Sequence, residues 1–133
     1  MKIETRTVGD ARVLDCSGKI TLGEGTMSIR GTVRDLVQSG VKKIVLNLAE
    51  VSYIDSAGVG ELVSTYTTVA NNGGQLKLLN LTKRIRDTLA ITKLLTIFEV
   101  FDDEKAALAS FGQQDISGDS FVLDNALSQF KIR

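Results

Sequence analysis

The 133-residue chain has no histidine, no proline and a single cysteine, and its sixteen basic side chains are matched by sixteen acidic ones. Each shortage narrows the chemistry. Without histidine, a Ser-His-Asp triad, the usual Cys-His pair and histidine-containing zinc or iron sites are unavailable, so most hydrolase mechanisms fall away and no cofactor or metal is expected. One cysteine cannot build an internal disulfide framework. Cys16, in the run Val13-Leu14-Asp15-Cys16, reads as a small buried apolar residue on a strand. Balanced charge provides no long-range field for polyanions, so nucleic acid is not an expected partner. No apolar run approaches the roughly 20 residues that span a bilayer, and the opening MKIETRTVGDARV lacks the apolar core of a signal peptide. The expectation is a cytoplasmic protein without membrane insertion. The missing proline, where average usage of about 5% would give roughly six or seven, has no evident physical cause.

What is present suits one domain, since domains commonly hold about 100 to 150 residues. Residues 2–8 and 11–16 flank Gly9-Asp10 and predict a hairpin. After the glycine-rich stretch from Gly18 to Gly25, Met27, Ile29, Val33, Leu36 and Val37 have mostly helical spacing, and Ser39-Gly40 ends that helix. Lys43 to Leu48 is a nearly continuous apolar run, the pattern of a central strand covered on both faces. Val59, Leu62, Val63, Tyr66, Val69 and Ala70 then recur at spacings of three and four, predicting a second helix that begins at or just after Ser56. A strand at 75–79, a short helix at 82–91, a strand at 97–101 and a helical segment at 103–111 complete an α/β layer, a mixed sheet with helices packed on it.

The composition turns polar from Gly112 to Gly118, which divides the chain into a domain at 1–111 and an extension at 112–133. Leu123, Leu127 and Phe130 give the extension an apolar stripe, so it is expected to be helical and either to pack on its own domain or to support self-association through 119–133.

The most informative stretch is Leu46 to Gly60, LNLAEVSYIDSAGVG, in which a strand runs into Asp55-Ser56-Ala57-Gly58 where a helix should begin. Ligands and reactive groups collect at this edge of α/β sheets. Asp55 or Ser56 can serve simply as the helix cap, and Gly58 and Gly60 can simply permit close packing. A nucleophilic role for Ser56 lacks a base, because Asp55 is its chain neighbour and cannot easily turn onto the hydroxyl in line. A serine modified by another protein's active site needs only exposure and a helix N-terminus that tolerates a dianion. Ser56 therefore makes better sense as a substrate than as a catalyst.

Val45-Leu46-Asn47-Leu48, the run from Val51 to Gly60, and Gly73-Gly74-Gln75-Leu76-Lys77-Leu78 closely resemble the anti-sigma factor antagonist family, the bacterial STAS domains. The resemblance covers roughly residues 3–111 and extends through Ile91-Thr92-Lys93-Leu94. It implies a non-enzymatic regulator whose serine, here Ser56, is phosphorylated by an anti-sigma factor that is itself a serine kinase. The unphosphorylated antagonist binds that kinase and frees the sigma factor, and a serine phosphatase reverses the modification. The expected partner surface comprises Asp55, Ala57, Gly58, Val59 and Glu61 around Ser56, with Leu22, Gly23, Glu24 and Gly25 from the loop sharing that sheet edge. Two departures stand out. Ala57 replaces the second hydroxyl residue found in many relatives, and Gly18-Lys19-Ile20-Thr21 replaces their Gly-Glu-Leu/Ile-Asp, which bears on partner identity. The alternative is an interaction module of the same fold that is never phosphorylated, such as a scaffold or a regulatory subunit of a transporter ATPase.

Overall fold

The computed structural model describes residues 1–113. Strands β1 (Lys2–Val8) and β2 (Ala11–Ile20) pair antiparallel, with Val8 opposite Ala11 across a turn in which Gly9 adopts a φ of 60°. The hairpin matches expectation, but β2 runs beyond Gly18. That glycine, at φ 116°, stands beside a register shift against the next strand, so it bends the strand without ending it.

The chain continues through α1 (Glu24–Gln38), β3 (Lys43–Ile54), α2 (Ser56–Asn71), β4 (Gln75–Leu79), α3 (Lys83–Ile91), a 3-10 turn (Leu95–Ile97), β5 (Glu99–Phe101) and α4 (Glu104–Gln113). Strand order follows sequence order, and every pair after the first is parallel. This is the expected mixed sheet with β3 at its centre. The helical pattern expected to close at residue 111 runs on to Gln113. The expected extension and its self-association stripe at 119–133 lie outside the described residues.

Alternation along the strands divides the core in two. Leu14, Cys16, Leu46, Leu48 and Leu78 face α1, α2 and α3, where they meet Ile29, Val33, Leu62, Val69, Ile85 and Leu89. Val13, Val45 and Leu79 face the other way, onto Ala107 and Phe111 of α4. Both faces of the central strands are thus covered, which is why β3 reads as a continuous apolar run. The α4 face also encloses Lys77, whose side chain is wholly buried, with its Nζ 2.8 Å from Glu99 and 4.9 Å from the Phe111 ring centroid. Burial depresses the Lys77 pKa below its ordinary value, and Glu99 opposes that shift. Cys16 lies in the interior, and burial pushes its thiol up to about 12, so it behaves as a small apolar residue.

Candidate functional site

Helices α1 and α2 follow parallel strands, so both begin at the same edge of the sheet, beyond the carboxyl ends of β2 and β3. Two glycines let them start there. A Cβ on Gly58 would run into the Ile20 carbonyl, and one on Gly25 into the Lys19 carbonyl, so both helix ends sit directly on the end of β2. The backbone N–H of Asp55 donates to the Ile20 carbonyl at 3.3 Å and joins the same junction.

Asp55 caps α2. Its Oδ1 accepts the Gly58 N–H at 2.8 Å, and its Oδ2 accepts the Leu22 N–H at 3.0 Å, which ties the helix start to the loop between β2 and α1. These two backbone donors, Leu22 first and then Gly58, hold the Asp55 carboxyl below the usual carboxylate value. Ser56, the first residue of the helix, is exposed, and no group among the described residues bonds its hydroxyl. The division of labour is clear: Asp55 does the structural work and leaves the serine side chain with none.

The residues expected around Ser56 do not all reach the surface. Leu22 is 80% exposed, Glu24 is exposed and receives the chain's amino terminus at 3.0 Å, and Gly23, Asp55 and Ala57 are partly exposed. Gly25 and Gly58 are buried by the junction just described. Val59 and Glu61, expected on the contact surface, are instead buried. Val59 belongs to the apolar stripe that seats α2 on the sheet. Glu61 points toward α1, where its Oε1 accepts from Arg30 Nη2 at 2.6 Å and Nε at 3.1 Å while its Oε2 accepts from Thr65 at 3.2 Å.

Met27, 66% exposed, adds an apolar side chain near the start of α1, although the sequence grouped it with Ile29 and Val33 in one helical run. Its signal was available: Met27 lies two residues before Ile29, about 200° around the helix from it, and so is out of phase with Ile29 and Val33. Arg30 carried no local signal, because its partner is 31 residues away. Among the described residues no helix is long and apolar enough to cross a membrane.

The STAS domain model matches residues 2–107 of this chain. The anti-sigma-B factor antagonist of Bacillus subtilis is 43% identical over 53 residues, which is 40% of this chain and 49% of that protein. A Thermotoga maritima crystal structure superposes with a TM-score of 0.75 at 21% identity, covering 81% of this chain and 92% of that one. The phosphorylated form of the Bacillus cell fate determinant SpoIIAA superposes at 0.66 with 20% identity, over 83% of this chain and 99% of its own. The two structural likenesses establish a shared fold, and with the family model matched across both core layers, the chain belongs to the STAS domain family.

Proposed function

We propose that this protein is an anti-sigma factor antagonist that binds an anti-sigma serine kinase while Ser56 is unphosphorylated and is released when the kinase phosphorylates it. The observation that carries this reading is the exposed Ser56 hydroxyl at the start of α2, bonded by no group among the described residues, beside an Asp55 that already caps the helix. A serine needed as a cap would resist modification; this one is engaged by none of the described residues. Backbone N–H groups and the helix dipole favour a dianion there, so the fold tolerates the product. The name of the Bacillus subtilis relative and the solved unphosphorylated and phosphorylated forms of SpoIIAA support the same switch.

In the complex, phosphate on Ser56 would be desolvated against a surface that fitted a neutral hydroxyl. A buried charge without a partner costs several kcal/mol, far more than the roughly 0.3 to 1 kcal/mol gained at the helix end. Release therefore dominates. A serine phosphatase acting on phosphorylated Ser56 restores the binding form.

Intact-mass analysis of the protein from its native cell tests the proposal. A fraction heavier by one phosphoryl group, mapped to Ser56 and lost in Ser56→Ala, is expected; complete absence of such a fraction under every growth condition favours the unphosphorylated interaction module. Ser56→Ala is also the bait for the kinase, which is then identified by its transfer of phosphate from ATP to the wild-type protein.

A further inference from the structure

We infer that the groove between α1 and α2 receives a carboxylate side chain of the kinase, with Arg34 as its principal cation; this rests on the reading of Ser56 as that kinase's substrate. The groove holds about 170 Å³. Arg30 and Arg34 form its α1 wall, Ser64 and Thr68 its α2 wall, and the buried Glu61 lies against Arg30 and Thr65.

The chemistry of the lining selects the ligand. Both Glu61 oxygens accept hydrogen bonds, Oε1 from the Arg30 guanidinium and Oε2 from the Thr65 hydroxyl, so Glu61 holds Arg30 in place and, at 4% exposed, presents little carboxylate to an incoming cation. Arg34 is 62% exposed, and its ion contact is with its chain neighbour Asp35, itself 75% exposed, at the long distance of 4.0 Å. Such a contact contributes almost nothing. The groove thus presents guanidinium donors and hydroxyls around one uncompensated positive charge, an arrangement that fits a carboxylate.

Position ties the groove to the switch. Ser56, Gly60 and Ser64 recur every four residues and share one stripe of α2, and Ser64 lies about 12 Å along the axis from Ser56 at 1.5 Å per residue. A partner footprint of about 800 Å² has a radius of roughly 16 Å, so a protein centred on Ser56 reaches the near end of the groove at Ser64, while Thr68, about 18 Å along the axis, lies at the edge of that footprint. The lone charged residue of α2 is the buried Glu61, whereas the nine residues of α3 include Lys83, Arg84, Arg86 and Asp87. A surface helix without exposed charge, bordered by arginines, has the composition of an interface.

The test measures affinity of the purified kinase for wild type, Arg34→Glu and Ser64→Asp, which act from opposite walls and leave the Arg30–Glu61 pair intact. An exposed charge pair is worth up to about fivefold, and reversal turns attraction into repulsion, so each variant should bind roughly tenfold more weakly at an unchanged melting temperature. Arg34→Gln, which leaves no charge to misplace, should lower the salt dependence of binding. If wild type binds and all three variants match it in affinity and salt dependence, the groove is overturned and the Ser56 switch stands. If wild type does not bind the kinase, the switch fails and the groove with it.

Discussion

Asp55 accepts the backbone N–H of Leu22, 33 residues earlier in the chain, at 3.0 Å, and with its other oxygen caps the helix that begins at Ser56. One carboxylate therefore fixes both halves of the proposed contact surface. Asparagine has one acceptor oxygen and can keep one of these bonds; alanine keeps neither. Thermal melts should rank wild type above Asp55→Asn and Asp55→Ala lowest. Because Leu22 loses its tether, Asp55→Ala should also slow phosphorylation of Ser56, measured as initial rate with the kinase and ATP.

Gly58 and Gly60, two residues apart, should respond oppositely to alanine. At Gly58 the added Cβ meets a backbone carbonyl that cannot move aside, so Gly58→Ala should cost about 1 to 3 kcal/mol or more. At Gly60 nothing lies within 4 Å, and alanine in a helix interior gains about 0.5 to 1 kcal/mol over glycine. Urea denaturation of the two variants checks the signs.

These two glycines show how far the sequence could be read. The strand-Asp-Ser-x-Gly-x-Gly-helix pattern placed Asp55 and an exposed Ser56 at the start of a helix, as the structure has them, because capping and glycine signals are local. It could not separate Gly58 from Gly60, since the difference is the Ile20 carbonyl brought in by another strand. Val59 and Glu61 were misplaced for related reasons. Val59 already belonged to the apolar stripe of α2, and that membership decides its burial. Glu61 is buried because Arg30 reaches it across the helix pair, a contact invisible to any short window. Lys77 likewise sat unremarked in the strand expected at 75–79, and only α4 packing over it explains its enclosure.

Lys77 offers a test of that enclosure. Lys77→Met keeps an unbranched stem while removing a buried charge, and Glu99, 45% exposed, stays accessible to water when the Lys77 ammonium goes. The variant should be as stable as wild type or more so, whereas Lys77→Ala, which leaves a cavity beneath Phe111, should lose about 2 to 4 kcal/mol. Chemical denaturation of both variants distinguishes them.

Acid should loosen α4. Arg6 binds both Asp15 and Glu104, at 2.6 Å each, and hydrogen bonds from its guanidinium hold both carboxyls below their ordinary values of 3.8 and 4.5. A carboxyl with a depressed folded-state pKa contributes stability above its ordinary value and loses it as pH falls through the lower one. Stability should therefore decline as pH drops below about 4.5 and continue to fall below 3.8. Arg6→Met should flatten this decline while costing about 1 kcal/mol or less at neutral pH, because Arg6 is 42% exposed.

The most direct test of the switch is the affinity of the purified kinase for the unphosphorylated protein and for the same protein carrying phosphate on Ser56, measured by calorimetry under identical conditions. The account predicts binding weaker by about two to three decades after phosphorylation, from a desolvation cost of several kcal/mol at about 1.4 kcal/mol per decade, with nearly unchanged melting temperature. Equal affinity of the two forms would contradict it.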